Sequence, residues 1–350
     1  MDKIKLGVVF GGQSSEYSVS LHSSSALIRA INQDRYELVL IGITKDGIVR
    51  LFEGSIDDIE HDNWLPSSFE AAFIHKGIIN LETNKRHKLD VVFPVVHGKN
   101  GEDGTLQGLF EVMNIPYVGD NTLSSAICMD KEMTHIVLEK ANIPMAKYVA
   151  LYKEHNDLDF KEVEKIIPLP WIIKPCNAGS SYGVNIVKCE KDFIKAKEEA
   201  YRYDGRGKLI VEEFVDGFEI GCAVLGHDQK MVLGSVDEIA IAKGSFFDFD
   251  GKYALKGAKI YCPARISKEC FEKARSIAKS ASIALNCEGM ARVDMFVLKN
   301  EEVIVNEVNT IPGFTDTSRY PSMMNEVGIP FSELIDKLIA LAFDKEVGVC

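Results

Sequence analysis

The sequence predicts an α/β protein built from more than one domain. Short apolar runs at residues 4–10, 36–44, 89–94 and 115–118 alternate with helical patterns such as 19–31. That is the order of a parallel sheet with crossover helices. The pattern changes near residue 124 and again near 215 without an obvious linker, which divides the chain into 1–123, 124–215 and 216–350. At 350 residues the chain exceeds one typical domain.

Composition narrows the class. The formal net charge of −12 argues against a general nucleic-acid surface, which needs basic patches, but not against a small anion in a local basic pocket. Cys128, Cys176, Cys189, Cys222, Cys262, Cys270, Cys287 and Cys350 form no C-x-x-C pair and no regular spacing. Reduced thiols in a cytosol are the simplest reading. The chain opens on a strand-like KIKLGVVF without a signal-type core, and no apolar run approaches the ~20 residues of a membrane span. A soluble cytoplasmic protein is expected.

In the first unit, Gly11-Gly12 breaks the first strand and leads into the 19–31 helix, a geometry that aims backbone N–H groups at an anion. The G-G-x-S-S-E pattern is not the dinucleotide fingerprint, and Glu16 reads equally as a ligand carboxylate or a dipole-favoured helix start. HGKNGEDG, residues 97–104, follows a buried strand and makes a poor folding sequence but a good ligand loop before a helix near Thr105. A helix over 124–140 carries Lys131. Strands are expected at 143–148, 166–175 and 209–214, with a helix at 192–203. WIIKPCNAGSSYG places Lys174 at a strand exit beside a loop rich in backbone donors, which suits polyphosphate, although no Walker A motif is present. Residues 243–253, KGSFFDFDGKY, lack a clean period and read as a lid. Helices are expected at 267–285 and 332–343.

Residues 292–319 concentrate the chemistry. Glu307 and Asn309 share a strand face, and a hairpin turning near 299–302 brings Asp294 alongside them. Three oxygen-bearing side chains in an apolar sheet suit Mg²⁺ on nucleotide phosphates, or equally make an ordinary polar sheet edge.

GGQSSEYSVSLHS, HGKNGEDGTLQG, MDK, IIKP…GSSYG, FDGKY, RVDMF and NEVNTIPGFT occur in one order along essentially the whole chain. In that order they resemble the D-alanine–D-alanine ligase family of the ATP-grasp superfamily. The resemblance implies a three-domain ATP-grasp fold, with a Rossmann-like N-terminal domain and an α+β C-terminal part. It implies ATP and two Mg²⁺ ions, with Mn²⁺ as a substitute, a homodimer, and a role in peptidoglycan synthesis.

The same resemblance assigns roles. Glu16 and His97 would hold the first D-alanine, with Glu102 nearby. Lys131 and Lys174 would meet ATP phosphates. Glu212 and Glu219 would bind ribose and adenine edges, while Glu213 and Val215 offer backbone groups to adenine. Asp294, Glu307 and Asn309 would hold the metals. Arg292 and the Gly313 N–H would stabilise the tetrahedral oxyanion. Ser180 and Tyr253 would form a hydrogen-bonded set with Glu16, and Lys252 would serve the substrate from the lid. Ser318 would contact the second substrate's carboxylate.

Arg319 replaces the Leu or Met usual in housekeeping members, while the Lys252-Tyr253 pair is retained. The wording is most similar to VanG-type D-alanine–D-serine ligases of vancomycin resistance. A housekeeping D-alanine–D-alanine ligase is the alternative. A guanidinium near the second subsite favours a polar side chain. A hydroxyl contributes only about 1 kcal/mol, so D-alanine is expected to compete. Two departures from the family pattern are Cys176-Asn177-Ala178 in the phosphate loop and Phe247 in the lid.

Overall fold

The computed structural model describes residues 3–180, 182–241 and 258–344. Three sheets and ten helices organise the described residues.

The N-terminal sheet contains β1 (Ile4–Gly11), β2 (Tyr36–Ile43), β3 (Val49–Phe52), β4 (Ser68–Ile74), β5 (Gly77–Asn80), β6 (Arg86–Lys88) and β7 (Val91–Pro94), ordered β6-β5-β4-β3-β2-β1-β7. β1 lies parallel between β2 and β7. Leu6, Val8, Val9 and Phe10 are all fully buried, so both faces of β1 are covered. The strands β3 to β6 add an antiparallel meander. Residues 115–118 make only an isolated bridge, Val92 to Tyr117. Pro116 lacks the N–H that a continued ladder needs.

Helix α1 (Tyr17–Ala30) lies close over this sheet because the inward positions Ser20, Ser23, Ser24 and Ser25 are small. Ser20 Oγ donates to the Val95 carbonyl and accepts from Gly11 N at 2.8 Å. Then come α2 (Ile56–Glu60), α3 (Thr105–Val112), α4 (Thr122–Met129) and α5 (Lys131–Lys140). The single helix expected over 124–140 is broken at Asp130. That residue takes extended ψ (105°), and its carboxylate accepts from Met133 N at 3.2 Å to cap α5. Lys131 therefore starts a helix instead of lying inside one.

The central sheet joins β8 (Tyr148–Tyr152), β9 (Trp171–Pro175), β10 (Asn185–Val187) and β11 (Lys208–Glu213) in the antiparallel order β10-β9-β11-β8. Helices α6 (Phe160–Glu164) and α7 (Glu190–Tyr203) belong to this region, and Trp171 packs edge-on against Phe193 of α7. The C-terminal sheet contains β12 (Gly217–Leu225), β13 (Val232–Ile241), β14 (Ala258–Tyr261), β15 (Met290–Leu298) and β16 (Val303–Asn309), all antiparallel and ordered β14-β13-β12-β15-β16. Helix α8 (Lys268–Ala284) buries Ala274, Ala278 and Ala281 in the core it shares with this sheet. Helices α9 (Arg319–Glu326) and α10 (Phe331–Asp344) return to the N-terminal sheet, where Phe314 packs 5.4 Å from Phe93. That return brings the loop after β16 beside the loops after β1 and β7.

Candidate active site

The expected hairpin forms. β15 and β16 pair antiparallel, with Asp294 opposite Glu307 and Arg292 opposite Asn309. Asp294 is 1% exposed and heavily hydrogen-bonded. Arg292 Nε donates to its Oδ1 at 2.8 Å, Arg292 Nη2 to Oδ2 at 2.8 Å, and Asn309 Nδ2 to Oδ2 at 2.9 Å.

Arg319, the first residue of α9, lies over the same sheet. Its Nε and Nη2 donate to Asp237 on β13 at 2.7 and 2.8 Å. Its Nη1 stands 3.2 Å from Glu219 on β12 and 3.2 Å from Asp294 on β15. Gly221 pairs with both Asp237 and Asp294, and a Cβ there would sit 2.4 Å from Arg319 Nη2. The missing side chain is the space the guanidinium fills. Sequence reading missed Asp237, because its partner lies 82 residues away.

On the facing central sheet, Lys174 Nζ stands 2.6 Å from Glu212 Oε2 and donates to Asn306 Oδ1 at 2.9 Å. Glu212 is 5% exposed. Burial alone would raise its carboxyl, but Lys174 and His135 outweigh that and hold it down at about 2. His135 on α5 accounts for part of this: Nε2 lies 3.2 Å from Glu212 Oε1, and Nδ1 is 2.8 Å from the Lys131 carbonyl. Glu212 is thus held on both oxygens, by Lys174 on Oε2 and by His135 on Oε1. Glu213 is fixed by reciprocal bonds with Lys147, both 2.9 Å, and the Val215 carbonyl accepts from Gly217 N at 3.1 Å.

The loop after β9 is pinned at three points. Asn177 donates through backbone N and Nδ2 to Asp204 Oδ2, at 2.9 and 3.2 Å. The departure at residue 177 therefore anchors the loop to the C-terminal end of α7. Lys131 Nζ donates to the Ala178 carbonyl at 2.8 Å. Ser180, at φ 54°, donates from Oγ to Glu16 Oε1 at 2.5 Å.

Glu16, 6% exposed, takes the N-cap position of α1 at the end of the loop after β1, and its side chain makes no capping hydrogen bond. A Cβ on Gly98, whose φ is +71°, would sit 2.4 Å from Glu16 Oε2. His97 is 3% exposed, and both ring nitrogens have partners: Nδ1 stands 3.0 Å from the Ile311 carbonyl and Nε2 3.3 Å from Ser23 Oγ. It ties the loop after β7 to the one after β16. Burial would lower its imidazolium, but Glu102, 3.8 Å away, and Glu16 leave it raised. Burial raises the Glu102 carboxyl in turn. Gly313 and Ser318 belong to one compact turn, in which Ser318 Oγ accepts from Thr315 N at 3.0 Å. The Gly313 N–H has no acceptor among the described residues.

The structure thus joins Glu16 to Ser180, Lys174 to Glu212, and Arg292, Asn309 and Arg319 to Asp294, while Glu213 is bonded to Lys147. Lys252, Tyr253 and Phe247, with the rest of the expected lid at 243–253, lie outside the described residues. Among the described residues no helix is long and apolar enough to cross a membrane.

Comparison with known proteins agrees with this geometry. The family model for the D-ala D-ala ligase N-terminus matches residues 5–120, and that for the D-ala D-ala ligase C-terminus matches 137–340. A D-alanine–D-alanine ligase of Acetivibrio thermocellus is 42% identical over 98% of this chain and 97% of its own length. D-alanine–D-alanine ligase A of Escherichia coli is 40% identical over 99% and 98%. Among solved structures, the VanG D-Ala:D-Ser ligase from Enterococcus faecalis superposes with a TM-score of 0.90 at 43% identity, covering 97% of this chain and all of that one. The Bacillus anthracis D-alanine–D-alanine ligase complexed with ATP gives 0.75 at 29% identity, covering 99% and 100%. The chain belongs to the D-alanine–D-alanine ligase family of ATP-dependent ligases and has its ATP-grasp fold.

Proposed function

We propose that the chain joins D-alanine to D-serine through a D-alanyl phosphate, in the synthesis of altered peptidoglycan precursors that confer vancomycin resistance. The observation that carries the choice of D-serine is Arg319. It follows Ser318 directly and is held by Asp237; the guanidinium would give a substrate hydroxyl a donor and the Ser318 hydroxyl an acceptor. The likeness to the VanG ligase supports this choice. The second reading, a D-alanine–D-alanine ligase, is favoured by the names of the Acetivibrio and E. coli relatives.

The first D-alanine presents its ammonium to Glu16, which Ser180 orients. Its carboxylate oxygen attacks the γ-phosphorus of ATP. The bond to the bridging oxygen breaks, releasing ADP and leaving the acyl phosphate. Two anions meet in this step, and Lys131 and Lys174 lower their repulsion. The neutral amine of the second amino acid then attacks the acyl carbon. Arg292 and the Gly313 N–H would face the oxyanion; as it collapses the C–O bond to phosphate breaks, and the departing phosphate takes up the proton the amine gives up in becoming the amide. The Glu212 carboxylate, held by Lys174 and His135, would border the nucleotide. Glu219 serves the ribose, and the chain at Glu213 and Val215 borders the base.

Asp294, Glu307 and Asn309 form a hard oxygen set on adjacent strands, as Mg²⁺ requires. Among the described residues no cluster of three or more His, Cys, Asp or Glu side chains is placed to hold a metal, and this set is two carboxylates and an amide. It fits an ion completed by phosphates and waters, which would neutralise phosphate charge during both steps.

The test is ADP release with equal D-alanine and D-serine near neutral pH, followed by separation of the dipeptides. D-alanyl-D-serine is expected to predominate. D-alanyl-D-alanine in equal or greater amount would return the chain to the second reading.

A further inference from the structure

The alternation of β16 slips by one residue. Val303, Val305 and Val308 face the core, so the apolar spacing is two and then three. In the ladder Asp294 stands opposite Glu307, yet Met295 stands opposite Val305, which leaves Asn306 as an extra residue. This is a β-bulge, a feature that re-aims a side chain. In an uninterrupted strand Asn306 and Glu307 would face opposite ways. The bulge is held from outside the ladder as well, by the Val305 N–H on the Pro144 carbonyl at 2.8 Å and a parallel bridge to Met145.

Its result is a contact between two sheets. Asn306, on the C-terminal sheet, accepts from Lys174 on the central sheet at 2.9 Å, and Glu212 takes a second position on the same ammonium at 2.6 Å. An ammonium has three N–H donors in tetrahedral array. Two fixed acceptors settle the direction of the third. Glu212 already supplies the negative charge that Lys174 needs. A second carboxylate at 306 would repel phosphate, whereas an amide oxygen accepts the N–H without adding charge.

We propose that Asn306 is a positioning residue for the nucleotide: from its bulge it fixes the direction in which Lys174 presents its remaining N–H to phosphate. This presupposes that Lys174 meets phosphate, as proposed above. The residue does not touch the reacting atoms. It acts through Lys174 and makes the lysine's aim depend on the spacing between the two sheets.

The test is a double-mutant cycle on the full chain, read as the dissociation constant for Mg·ATP without amino acid, so that no turnover occurs. Asn306→Leu is expected to weaken ATP about tenfold, the loss of one hydrogen bond to a charged group. The KM values for both D-amino acids should stay within about twofold of wild type, a split that general loosening of the fold would not give. Asn306→Ala, which adds no bulk, must show the same pattern. In a Lys174→Met background either substitution should change the constant less than about twofold. Additive losses there, or near-wild-type affinity in both single variants, would overturn the proposal. A Lys174→Met protein that binds ATP like wild type would instead remove the phosphate role of Lys174, and this inference with it.

Discussion

Replacing Arg319 by Leu separates the structural role of this side chain from the selectivity proposed for it. Among the described residues the guanidinium is the only group hydrogen-bonded to the Asp237 carboxylate, which is fully buried. Asp294 keeps Arg292 and Asn309 after the change, so the cost centres on Asp237. Removing one member of a buried pair costs about 3–5 kcal/mol, because the other charge is left without compensation. The second effect is on selectivity. Losing one hydrogen bond to a substrate hydroxyl costs about 1 kcal/mol, or about a fivefold fall in the D-serine to D-alanine product ratio. Arg319→Leu/Asp237→Asn discriminates between them. Neutralising the stranded carboxylate should recover at least half of the stability but none of the D-serine preference. Urea midpoints and dipeptide ratios for wild type, single and double variants measure both. The reasoning fails if Arg319→Leu costs less than about 1 kcal/mol, or if the double variant regains the wild-type product ratio.

Three further outcomes are expected. Gly98→Ala combines a strained φ of +71° with a Cβ 2.4 Å from Glu16 Oε2. Its displacement of Glu16 should lower kcat/KM for the first D-alanine about a hundredfold, while ATP affinity measured by calorimetry holds. The Glu212 carboxyl sits at about 2, below its ordinary 4.5. Its ionised form therefore stabilises the fold fully above about pH 4.5, and this is lost as the pH falls toward 2. The stability gap between wild type and Glu212→Gln, from urea midpoints, should accordingly narrow below pH 4.5 by up to about 3 kcal/mol; a constant gap would contradict the assignment. Finally, removing divalent cations with a chelator should weaken ATP binding by at least about a hundredfold, and Asp294→Asn should lose most of that metal dependence, checked by calorimetry with and without Mg²⁺.

What the chain discloses in advance depends on how local the cause is. The β15–β16 hairpin is legible because valine alternation and a polar turn determine the register of Asp294 and Glu307 within sixteen residues of each other. The bulge at Asn306 was equally visible as the slip from 303 and 305 to 308, but a slip acquires meaning only once Lys174 is known to lie across from it. The break at Asp130 is hidden for a similar reason: the residue also accepts from Lys208 Nζ at 2.8 Å, a strand lysine 78 residues away. The short strands β3, β5 and β6 are only three or four residues long and are held by neighbours more than by their own pattern. His97 is the subtler case. The resemblance gave it a place near the first D-alanine, and the sequence could not show that its ring also joins its loop to Ile311 and to Ser23 of α1.

The described cations of the site share one condition. Lys131 rests on the Ala178 carbonyl, Lys174 on Glu212 and Asn306, Arg292 on Asp294, and Arg319 on Asp237, Glu219 and Asp294. An unpaired cation at this depth would be costly, so a phosphate site must hold its charges somewhere before the nucleotide arrives. Here the holders include the very groups expected to serve the nucleotide complex: Asp294 for metal, Glu219 for ribose, Glu212 for adenine. On the proposed roles, binding would be an exchange and not an addition. Mg²⁺ held by Asp294 and a ribose held by Glu219 would each compete for an acceptor of Arg319, while Asp237 would keep its hold on the guanidinium. The side chain proposed to choose the amine would then respond to what occupies the nucleotide subsite.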